Sequence, residues 1–121
     1  MRLALLLVLT LSTAPALAGA ACLTGGQARV GRLEVVRHQM LNGEWQPFFL
    51  LRLPRRSCVV DAEGAQHPDQ SEIGLFPRAG KQMARMVGRK VRVDGDGPIV
   101  GDTQWHIRDL TFMAATAVPL K

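Results

Sequence analysis

Arg85, Arg89, Lys90 and Arg92 place four cations within eight residues. Guanidinium and ammonium groups clustered in this way pair with phosphates, sulfates and carboxylates. The run is therefore a candidate ridge for an anionic envelope polymer or a nucleic acid. Arg55 and Arg56 form a second basic step, between an apolar run and Cys58. Charge runs of this kind are also the ordinary solvated side of amphipathic elements.

Other chemistry is less well supported by spacing. The acidic pair in DGDG, residues 94–97, invites comparison with a calcium loop, but the third ligand position would be Pro98 and the required glycine would be Ile99. A turn between the last two strands is the expected use of this stretch. His38, His67 and His106 are scattered, with no H-x-x-H or H-E spacing that would set two imidazoles on one face for a metal. No serine stands in a G-x-S-x-G elbow, and no pair of carboxylates is placed for acid–base work. The sequence therefore predicts no catalytic residues, no metal and no cofactor. An enzyme of unidentified type is the remote alternative.

The two cysteines, Cys22 and Cys58, carry the compartment argument. Arg2, an apolar run over residues 3–11 and the small-x-small pattern Ala16-Leu17-Ala18 predict a signal peptide over residues 1–18, with cleavage after Ala18 or, in a second legal frame, after Ala20. Ser12, Thr13 and Pro15 interrupt the apolar run before it reaches the roughly 20 residues needed to span a bilayer. Gly19 stands three places before Cys22, where a lipoprotein leader wants a bulky aliphatic residue, so lipidation at Cys22 is only a minor alternative. Export to the periplasm or beyond implies an oxidising environment, and two thiols in one small domain then pair. A Cys22 to Cys58 disulfide is expected.

The elements that must position these groups fit one domain over residues 19–121. Residues 28–39 alternate polar and apolar, which predicts a strand, with Gly31 suggesting a bulge or sharp coil. Asn42-Gly43 between two strand-like runs predicts a hairpin over residues 28–53. Residues 46–53 are continuously apolar enough to be a central strand confined by Pro47 and Pro54. A third strand starts at Cys58, a polar loop follows over residues 61–70, and residues 71–77 continue as a strand with Ile73 and Leu75 on one face. Met83, Met86 and Val87 then form a helical stripe ended by Gly88, with Lys81, Arg85 and Arg89 toward the other side. Val91 and Val93 alternate with Lys90 and Arg92 on a fourth strand, and a last strand covers residues 104–113.

Five strands with one short helix between the third and fourth match a small OB-like barrel, a mainly β fold. OB-folds commonly bind oligonucleotides and oligosaccharides across strands two and three and the loops beside them. Here those loops are predicted at residues 42–44 and 94–102, neutral to acidic, so nucleic acid is an unfavoured ligand and no base-stacking platform is evident.

Cys22, the Gly31-Arg32-Leu33 step, Trp45 with Leu51 and Leu53 leading to Cys58, and the run from Gly88 through Val91 and Val93 to Gly95 occur in one order. In that order the chain resembles the bacterial domain of unknown function 4431 family, small exported proteins. The resemblance spans nearly the whole mature chain and implies an OB-like exported domain with no assigned activity. The combined expectation is a non-catalytic exported binding or accessory module of the cell envelope, whose partner is an envelope protein or polymer.

Overall fold

A computed structural model describes residues 22–78 and 80–121. The expected signal peptide and both cleavage frames lie outside the described residues. A short 3₁₀ helix (Gly25–Arg29) leads into β1 (Val30–Gln39), β2 (Trp45–Val60), β3 (Gln66–Pro77), α1 (Gly80–Ala84), β4 (Lys90–Val100) and β5 (Leu110–Pro119). The strands close into a barrel in the order β1-β2-β3-β5-β4, with β3 and β5 parallel and the other pairs antiparallel. This is the OB arrangement, with its single helix between β3 and β4. Among the described residues no helix is long and apolar enough to cross a membrane.

Leu33 of β1 and Phe49, Leu51 and Leu53 of β2 face the barrel interior. Leu33 lies opposite Leu51, and both are fully buried with Ile73, Leu75, Val91, Val93 and Phe112. The expected inward pairs on the third and fourth strands are thus in the core. Met83 and Met86 pack beneath them from α1 and the turn after it. Val87, the third member of the expected stripe, is instead exposed, because the helix ends at Ala84 and the chain turns away before Gly88, whose φ is +89°.

Gly31 is not a bulge. It pairs in register with Val91 of β4, and a Cβ there would collide with the Arg52 carbonyl oxygen. A glycine is needed because β1 passes against β2 while pairing with β4 on its other side. The Asn42-Gly43 hairpin forms as expected, with Gln39 opposite Trp45 and φ of +90° at Gly43.

Neither proline confines β2. Its ladder with β1 includes Pro47, opposite Arg37, and its chain passes through Pro54 to Val60. Pro54 is tolerated because its missing donor falls in the irregular stretch between Arg52 and Ser57, where the β2–β3 register shifts. Cys58 consequently lies near the end of the second strand, which runs to Val60, rather than starting the third. The polar loop shrinks to residues 61–65, because β3 already begins at Gln66. The DGDG segment is not a turn either. It lies inside β4, where the register against β5 shifts twice. The last strand is correspondingly later, starting at Leu110 rather than at residue 104.

Those shifts have a partner. Arg29 donates to the carbonyls of Gly95 (3.1 Å) and Gly97 (3.3 Å), and its guanidinium lies 4.8 Å from the centre of the Phe112 ring. The calcium-like segment does meet a cation, the arginine that precedes β1.

The N-terminal segment is fixed at a second point. Cys22 is bonded to Cys58 across a sequence separation of 36, and Leu23 exchanges backbone hydrogen bonds with Cys58 and Val60 at 2.7 and 2.9 Å. Closing a loop of this length stabilises a fold by about 4 kcal/mol in the chain-entropy model. We expect the Cys22→Ser/Cys58→Ser variant to melt about 15–30 °C lower than the parent in circular dichroism. Equal melting temperatures would show that the staple contributes nothing.

Candidate functional site

The outer face of β1, β2 and β3 is the surface on which this architecture commonly carries ligands. Alternation places Glu34 and His38 of β1, Phe48, Leu50 and Arg52 of β2, and Glu72 and Phe76 of β3 on this outer side. Phe48 and Leu50 are nonetheless buried, although they lie outside the barrel core. The cover is the loop between β4 and β5, residues 101–109.

Four contacts hold this loop down. Gly74 lies opposite Leu50, and a Cβ on it would sit 2.5 Å from Thr111 Oγ1 of β5 and 2.7 Å from Ile107 Cγ2, so the missing side chain admits both Thr111 and Ile107 to this face. The Trp105 ring lies 5.1 Å from that of Phe76. Gln104 Oε1 accepts from the Leu41 backbone N–H at 2.9 Å, joining this loop to the β1–β2 turn. Arg108 donates to Glu72 at 3.0 Å, and Glu72 in turn accepts from Arg52 (2.7 Å), which also donates twice to Glu34 (2.7 and 2.9 Å). Charges alternate along the row Glu34, Arg52, Glu72, Arg108. The loop expected at residues 94–102 is therefore displaced to 101–109, and it carries an arginine used to close the face.

The histidines serve local structure in separate places. His38 lies 4.9 Å from the Phe48 ring, His67 Nε2 is 2.8 Å from Asp61 Oδ2, and His106 Nδ1 is 2.8 Å from Thr103 Oγ1.

A second surface lies where the barrel closes. Lys90 of β4 pairs with Arg32 of β1, and Arg32 pairs with Arg52 of β2, so three cations stand in one row across three strands. Like charges directly opposite one another destabilise a sheet. Arg52 is offset by Glu34 and Glu72, and Arg32 donates to the Gly88 carbonyl. Lys90 makes no ion pair among the described residues. These side chains, with Gly31, Leu53 and Pro54, line a cavity of about 370 Å³.

Of the six basic residues expected to contact a ligand, only Lys90 lines this cavity. Arg92 points outward one pleat further along β4, where it pairs with Val30. Arg89 and Arg85 are exposed, but α1 ends before either, so they do not share a helical face. Arg55 is exposed on the irregular stretch of β2, while Arg56 is used by Asp69 at 2.7 and 3.1 Å. Both lie inside β2 rather than at a corner between strands. Arg32 and Arg52 were missed. Their outward alternation is visible in the sequence, but the register that aligns them with Lys90 is not.

No family model matches the chain, and neither a curated protein nor a solved structure matches it.

Several carboxyls on these faces are held below their ordinary values. Hydrogen bonding to Arg52 lowers Glu34 from 4.5, hydrogen bonding to Arg56 lowers Asp69 from 3.8, and the His67 hydrogen bond does the same for Asp61 against the opposing effect of burial. Between the folded and unfolded values the unfolded chain binds more protons, so stability rises with pH there. These contributions are complete above the unfolded values near pH 4 and are lost as pH falls through the lower folded ones. Chemical denaturation is expected to give constant stability from pH 7 to about 5 and a decline below about 4. A stability that rises on acidification through that window would contradict the assignment.

Loop attachment has its own test. Gly74→Ala is expected to lift residues 101–109 from the sheet, seen as faster hydrogen exchange in that loop, in the β1–β2 turn and at the start of β5 around Thr111. Unchanged exchange would show that Gly74 does not admit the loop.

Proposed function

We propose that the protein is a non-catalytic exported binding module of the cell envelope, held by one disulfide, and that its ligand is an anionic polymer taken at the cationic seam of β4, β1 and β2. The observation that carries this reading is the row Lys90, Arg32 and Arg52 around an open cavity. A sheet gains nothing in stability from three aligned cations, whereas a ligand carboxylate or phosphate between Lys90 and Arg32 would relieve their repulsion. Arg92 and Arg89 extend the positive surface along β4, so a chain of anionic groups suits it better than a single ion. The disulfide and the barrel fit an exported module. Kinship with the domain of unknown function 4431 family belongs to the same reading.

The reading disfavours nucleic acid. Base stacking needs accessible rings beside the bound phosphates; Phe48 is buried, Phe76 is paired with Trp105, and the exposed Trp45 lies opposite Gln39 at the hairpin end, away from the seam. Polygalacturonate and polyphosphate are suitable probes, with oligodeoxythymidine as the comparison. Binding to at least one of the first two is expected at low salt and should weaken steeply as salt rises. Arg32→Glu and Lys90→Glu should each weaken it about tenfold or more, corresponding to one lost charge-assisted contact. Arg56→Glu, which lies off the seam, should leave it unchanged. Absence of binding to both polymers at low salt, or equal losses in all three variants, would remove the reading.

A further inference from the structure

A larger concavity lies away from the seam, between the β1–β2 hairpin and α1. Val35, Pro47 and Phe49 form one wall, and Pro77, Ala84 and Val87 form the other. It is an open groove of about 670 Å³, within the volume range of small-molecule sites. Val35 and Val87 remain 44% and 38% exposed, so the groove shows large apolar side chains to water although Phe49 at its floor belongs to the core.

Lys81 is the one charged side chain in the lining, and it makes no ion pair among the described residues. Arg78 and Arg85 flank it in sequence and are exposed. Residues 77–92 contain six basic side chains and no acidic one. The lining is therefore apolar with a cationic lip. Its small set of residues is well short of the roughly 20–30 a side of a stable protein interface. A narrow apolar ligand with one negative charge matches both features.

We infer that this groove binds a medium-chain fatty acid, with the alkyl chain between the hairpin and α1 and the carboxylate at Lys81. The site is separate from the seam, since the two linings share no residue. Chain length and head charge then contribute separately. Each added pair of carbons buries more alkyl surface and tightens binding roughly threefold to tenfold until the groove is filled.

Isothermal titration of the parent protein with octanoate, decanoate and dodecanoate, each below its micelle concentration, tests this directly. Affinity is expected to rise along the series, with dodecanol and dodecyltrimethylammonium binding at least fivefold more weakly than dodecanoate. Lys81→Ala should erase the preference for dodecanoate over dodecanol and leave the chain-length dependence. Ala84→Glu and Val87→Glu place a charge on exposed positions of the groove wall and should abolish binding of both, with near-ultraviolet circular dichroism unchanged. If one of these two variants loses its native spectrum, the other decides. Equal binding of the ammonium and carboxylate amphiphiles, no dependence on chain length, or full binding by Val87→Glu would overturn the assignment. So would a concentration-dependent dimer that Val87→Glu dissolves, because the groove would then belong to a second copy. None of these readouts depends on the polymer-binding surface, so either reading can fail alone.

Discussion

The first strand has to serve two neighbours at once, and most of the molecule follows from that demand. β1 is the partner of β2 along its length and of β4 over its first three residues. A closed barrel of five strands exists only if both pairings are kept. Gly31 is where they meet, since β2 passes so close that no side chain fits. The same closure aligns Lys90, Arg32 and Arg52. The positive seam is thus a by-product of how the barrel shuts, and its charge is tolerated because two glutamates and a backbone carbonyl answer two of the three cations.

The outer face of β2 and β3 shows the opposite strategy. Here apolar side chains that would make a ligand platform are roofed by the chain itself. Exposed ion pairs contribute little individually, so the alternating row from Glu34 to Arg108 fixes the position of the roof more than it supplies its energy. The larger share comes from excluding water from Phe48 and Leu50, which are almost fully buried on a face that the strand pattern alone would leave open. That face is therefore covered rather than open to solvent.

Periodicity made the interior legible. Leu33, Ile73, Leu75, Val91 and Val93 alternate with polar or small neighbours as a strand requires, Leu51 stands in a continuous apolar run, and the cysteine pair, strand order and single helix could be read from residue types. Boundaries were less accessible because prolines and glycines act through neighbours. Pro54 reads as a stop, yet it is harmless where its missing donor has no ladder to serve. The glycines of DGDG read as a turn, yet they bend a continuous strand so that two carbonyls reach Arg29. The basic residues were the least legible. Local spacing groups Arg85 with Arg89, whereas tertiary register groups Lys90 with Arg32 and Arg52, and register across a closure depends on every strand between.

One more property follows from the brevity of the β1–β4 contact. β4 covers β1 only as far as Arg32, and Leu33 bonds to the Gly88–Arg89 turn, so the remainder of β1 is laddered on its β2 side alone. An unpaired strand margin is a template on which another chain can add, the first step toward aggregation. Here the margin runs from Glu34 to Gln39 and carries the charged Arg37, whose guanidinium lies 5.9 Å from the centre of the Trp45 ring. The groove wall at Val35 therefore borders an unpaired strand margin, and the charge on Arg37 is what discourages another chain from adding there.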